Sequence, residues 1–127
     1  CVTLSAQTVT NSGEGKYTLR VGDVTMVVDA SRGGKIVSYK YGDKEILSQT
    51  RMPNSFGSTF WTSPQSEWNW PPVPEYDTKP FNAEMTGDKL VLTGEKSGRF
   101  GYRVRKEFVP DAKDKAIVIT YTIINDF

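Results

Sequence analysis

Histidine is absent from all 127 residues. That removes Ser-His-Asp and Cys-His nucleophilic mechanisms, His-ligated zinc and any imidazole acid or base. Cysteine occurs once, as Cys1. One thiol makes neither an internal disulfide nor a thiolate metal cluster, so no metal site and no cofactor is expected. No apolar run approaches the ~20 residues that span a bilayer. Charge of one sign is also missing: 16 Lys and Arg face 15 Asp and Glu, a net charge of +1. With no basic cluster, the sequence argues against a nucleic-acid partner. At this length the chain makes one domain around one modest core.

What is present is β-prone. Val24 to Asp29 puts Val24, Met26 and Val28 on one face, and Ile36 to Tyr41 does the same with Val37, Tyr39 and Tyr41. Tyr17 to Val21, Lys44 to Leu47, Phe81 to Thr86 and Lys89 to Thr93 are further strand candidates. Gly22-Asp23, Gly42-Asp43 and Gly87-Asp88 each separate two such runs, as two-residue hairpin turns do. Gly101 to Val109 alternates Tyr102, Val104 and Phe108 with Arg103, Arg105 and Glu107. Lys106 interrupts the apolar face and is read as lying near an edge. Lys115 to Asn125 is β-branched or apolar on both faces, which points to a central strand covered on both sides. No segment has helical periodicity with caps. The expected fold is all-β, a mainly antiparallel sandwich of about eight strands over residues 17–127.

The run from Val2 to Lys16 is rich in Ser, Thr, Gly, Gln and Asn and reads as a flexible tether over 1–16. A cysteine at the very start followed by such a tether fits a bacterial lipoprotein, whose mature chain begins with a lipid-bearing cysteine. The expected location is the bacterial cell envelope, as a secreted protein. Membrane contact would come only through a lipid on Cys1.

Gln49 to Pro80 breaks the strand pattern. It holds six of the seven prolines and all three tryptophans, Trp61, Trp68 and Trp70, with Phe56, Phe60 and Tyr76. A loop this long is usually functional or disordered, and its aromatic density argues for function. Trp61, Trp68, Trp70 and Tyr76 form a candidate platform for a sugar ring, with Gln65, Glu67 and Asn69 as polar partners. In Trp68-Asn69-Trp70 an extended backbone would set both indoles on one side. Glu67, Glu75 and Asp77 are carboxylates near these rings, more readily surface groups than a catalytic pair. Arg103, with Arg99 and Arg105, is a candidate for an acidic sugar's carboxylate, against the plainer reading of a solvated strand face.

Two stretches carry a resemblance. Gly33-Gly34-Lys35-Ile36-Val37-Ser38-Tyr39, followed by Gly42-Asp43-Lys44-Glu45-Ile46-Leu47, resembles the opening of galactose-mutarotase-like sandwiches. Phe60-Trp61-Thr62-Ser63-Pro64-Gln65-Ser66-Glu67-Trp68-Asn69-Trp70-Pro71-Pro72 resembles a narrower family of uncharacterised bacterial secreted or lipid-anchored proteins with such a domain. The final strand, Ile119 to Asn125, also resembles a mid-domain strand of these sandwiches. The resemblance covers roughly residues 17–127 and implies a carbohydrate-binding β-sandwich. The family's domain is about twice as long, which makes this chain the counterpart of its N-terminal half. Mutarotases move protons with histidines and a carboxylate, so the resemblance does not carry their catalysis to a chain without histidine.

The leading expectation is therefore non-catalytic carbohydrate binding by a lipoprotein, centred on the Trp-rich loop. The alternatives are a sugar-processing enzyme completed by a C-terminal half, and a structural or interaction module. A two-sided last strand left uncovered would favour a homodimer.

Overall fold

The computed structural model describes residues 7–52 and 56–125. Two antiparallel sheets make the all-β fold. The first runs in chain order through five strands: β1 (Gln7–Gly13), β2 (Lys16–Val21), β3 (Val24–Asp29), β4 (Lys35–Tyr41) and β5 (Lys44–Glu45). The second is β6 (Asn82–Thr86), β7 (Lys89–Thr93), β8 (Arg103–Asp111) and β9 (Ala116–Ile124), also in chain order. Among the described residues, a short helix, α1 (Pro74–Asp77), and a 3-10 turn at Gln65–Glu67 lie between the sheets in sequence.

All three Gly-Asp pairs are hairpin turns. Val21 pairs with Val24, Tyr41 with Lys44 and Thr86 with Lys89 across them. Gly22, Gly42 and Gly87 all take positive φ, the conformation the first turn position demands. Alternation then fixes which face is buried. On β8 the burial follows the sequence pattern residue by residue, with Val104, Lys106, Phe108 and Pro110 inward. Leu19, Met26 and Val28 of the first sheet meet Leu90, Leu92, Val104 and Phe108 of the second in one core. Each such side chain, fully buried, contributes about 1.5–3 kcal/mol.

Three expectations change. The tether read over 1–16 gives way from Gln7 to a strand, whose register with β2 runs from Gln7 opposite Val21. Edge pairing is made by backbone groups, so a polar run with one apolar residue, Val9, suffices; Cys1 lies outside the described residues. Lys106 is not near an edge. It sits between β7 and β9 and is 2% exposed. The last strand is not central: among the described residues β9 pairs with β8 alone and forms the edge of its sheet. Its β-branched residues satisfy a pleated backbone without a covering layer.

Candidate functional site

Between Ile46 and Phe81 the described residues form no strand, and hydrogen bonds pin the stretch to the first sheet. Ser58 N–H donates to the Ile36 carbonyl at 3.0 Å, and Ser58 Oγ accepts from Ile36 N–H at 3.0 Å. Gly33 N–H donates to the Lys79 carbonyl, and Phe81 N–H to the Ala30 carbonyl. These four bonds hold residues 58 and 79–81 against β4 and the β3–β4 turn.

Pro74 starts α1 at the first helical position, where its missing N–H is no loss. The helix places Tyr76 and Asp77 inward. Tyr76 is 2% exposed, stacks on Tyr102 at 5.1 Å and donates its hydroxyl to the Tyr102 carbonyl at 2.8 Å. Burial pushes its hydroxyl above the usual phenol range, with the Tyr102 hydroxyl adding to the effect. It anchors the core and presents no ring to a ligand.

The tryptophans divide. Trp68 is 5% exposed and donates Nε1–H to the Thr62 carbonyl. Trp61 is 45% and Trp70 67% exposed. The backbone explains the split: Asn69 sits at φ 57, so the run is not extended and the two flanking indoles diverge. Trp61 joins them, edge-on to Trp68 at 5.6 Å and to Trp70 at 5.8 Å.

Trp61 and Trp70 wall a groove of about 460 Å³, with Lys35, Thr59, Asp77 and Thr78 among its lining. Its floor carries a buried ion pair, Lys35 Nζ to Asp77 Oδ1 at 3.5 Å. The same Asp77 oxygen accepts from Trp61 Nε1–H at 3.1 Å, fixing that indole. On the other side of Trp70 lies a second groove of about 430 Å³, lined by Trp68, Glu75, Arg99 and Phe100. Trp70 is the ridge between them.

Beneath the first groove Lys106 extends across the core. Its Nζ donates to the Gly33 carbonyl at 2.9 Å and the Gly34 carbonyl at 3.3 Å. It also faces the rings of Phe81 and Tyr121 at 5.1 and 5.8 Å. Burial pushes this ammonium down to about 8, Lys35 adds to that, and Asp77 opposes it. In the unfolded chain the same lysine titrates near 10.4. Between these values the unfolded state binds more protons, so stability rises with pH. From pH 8 to 10 the protein should gain about 2 kcal/mol, with Lys106→Met removing the rise. Urea midpoints at the two pH values check this, and equal slopes in both proteins would contradict it.

The other expected site residues lie elsewhere. Gln65 and Glu67 are exposed on the 3-10 turn and line neither groove; Glu67 offers its carbonyl to Arg99. Glu75 pairs with Lys79 at 3.3 Å. The three carboxylates Glu67, Glu75 and Asp77 are thus not gathered in one groove. Arg103 lines a separate depression beside Pro80 and Glu95, and Arg105 pairs with Glu107 at 2.8 Å on the outer face of β8. Lys35 and Lys106 are the residues that sequence reasoning missed. The signal for Lys106 was its place in line with Val104 and Phe108; a charge on a buried face is there for a partner.

Among the described residues, no group of three or more His, Cys, Asp or Glu is placed to hold a metal ion, and no helix is long and apolar enough to cross a membrane. Comparison with family models finds no match to this chain, and comparison with curated proteins and with solved structures likewise finds none.

Proposed function

We propose that this two-sheet β protein binds carbohydrate without catalysis, in the groove walled by Trp61 and Trp70. The observation that carries the reading is the exposure of these two indoles, 45% and 67%, over a floor of fixed polar groups. Pyranose C–H faces lie against indole rings, while hydroxyls need donors and acceptors held in place. Lys35 and Asp77 supply one of each, already paired and already desolvated. A preorganised floor of this kind lowers the ordering cost of binding. Lipid attachment at Cys1 and display on the cell envelope belong to the same proposal, and the mass of the N-terminal peptide from native membranes tests them.

Trp70→Ala is the direct test of the groove. Trp70 is mostly solvated, so the change should weaken glycan binding by about 1–3 kcal/mol. Its effect on stability should stay below about 1 kcal/mol. Calorimetric titration against glycans selected on an array reads the first, and urea unfolding the second. A protein that binds no glycan, or binds equally well without Trp70, overturns the reading.

A further inference from the structure

We infer that the free edge of β9 is a self-association surface, on which a second copy of this chain adds its own β9 in antiparallel register. The edge itself is the first observation. Among the described residues β9 pairs with β8 on one side, and no strand pairs with its nine residues on the other. Long exposed edges in natural proteins are usually blunted by charge, proline or a bulge. Ala116 to Ile124 contains no charged residue and no proline. Its ladder with β8 runs unbroken from Arg103–Ile124 to Asp111–Ala116.

The second observation is the face that the edge leaves open. Ile117, Ile119, Tyr121 and Ile123 pair with the inward residues Pro110, Phe108, Lys106 and Val104, so they share the inner side of the sheet. Yet Tyr121 is 40% and Ile123 53% exposed. The inner face of β9 thus reaches solvent at Tyr121 and Ile123, with Phe60 stacked on Tyr121 as partial cover.

A second β9 matches this edge in both chemistry and register. A two-fold axis perpendicular to the sheet keeps inner faces on the same side. Centred on Thr120, it sets Ile117 against the partner's Ile123, Ile119 against the partner's Tyr121, and Thr120 against its own copy. The inner rows are then apolar throughout, and no charge of one copy meets a like charge across Ala116–Ile124. The two four-stranded sheets become one of eight strands. Contact of this extent buries on the order of 1,000 Å², at the low end for specific interfaces.

Three measurements on the protein of residues 1–127 test the pairing. Sedimentation equilibrium at high micromolar concentration should give twice the monomer mass. Ile123→Lys, which puts a charge into the apolar row of both copies, should return the protein to monomer with its circular dichroism unchanged. Register is read by crosslinking in a Cys1→Ser background. Thr120→Cys should oxidise to a covalent dimer, because the two sulfurs meet at the axis. Val118→Cys should not, because the two copies of residue 118 lie roughly 14 Å apart along the strand at ~3.4 Å per residue. Wild-type protein that stays monomeric, as it would if a strand from some other chain covered the edge, overturns the inference. Crosslinking through residue 118 in place of residue 120 overturns it equally.

Discussion

Replacing Asp77 by alanine is expected to destabilise the protein by about 3–5 kcal/mol, the range for breaking a buried ion pair from one side. Asp77 holds Lys35 at 3.5 Å and Trp61 Nε1–H at 3.1 Å, and its charge also acts on Lys106. Lys35 and Lys106 are 3% and 2% exposed. Without the carboxylate, two ammonium groups remain in the interior with no anion between them. Asp77→Asn keeps an oxygen for Trp61 but loses the charge, and should recover only the smaller part of the loss, about 1 kcal/mol. Urea unfolding of the two variants at neutral pH measures the difference. A loss under about 1 kcal/mol in Asp77→Ala would mean that water reaches the pair and that the groove floor is not preorganised.

Gly33→Ala should be as damaging for a different reason. Gly33 has φ +71, which an alanine adopts at a cost of about 1–2 kcal/mol. A Cβ there would also lie 1.9 Å from the Asp77 carbonyl oxygen, so α1 would have to move away from the β3–β4 turn. The expected total is about 4 kcal/mol or more, within the small class of severe single changes. Gly22→Ala isolates the two contributions. Gly22 has φ +55 but nothing within 4 Å of its Cβ position, so it bears the conformational cost alone. Thermal unfolding of both variants gives the comparison. Equal losses would show that the helix yields easily and that close approach is not what fixes Asp77.

Much of the sandwich was legible because its strands obey a two-residue period. β3 and β7 have the bounds that alternation gives them, and the three Gly-Asp turns lie where two-residue loops belong. The misreadings share a cause. β-branched residues on both faces of β9 report a preference for pleated backbone, whereas central placement depends on neighbours that the strand's own sequence does not encode. β1 carries one apolar side chain in seven residues and no burial signal, yet backbone pairing with β2 orders it. Around the candidate site, the Trp-rich loop was visible from composition. The division of labour within it was not, because a single left-handed residue, Asn69, decides which indole turns inward. Lys35 and Lys106 belong to the site through contacts across about 40 and 70 residues of chain, and local spacing is silent about those.

Trp61, Trp68 and Trp70 are the protein's only tryptophans, and neighbouring rings stand 5.6 and 5.8 Å apart. Its ultraviolet emission therefore originates in one patch, with excitation shared among three indoles before a photon leaves. Neither sheet contributes a tryptophan of its own. Emission spectra follow the loop alone, and a denaturation curve drawn from them can precede the loss of the β-sheets without any error in either signal.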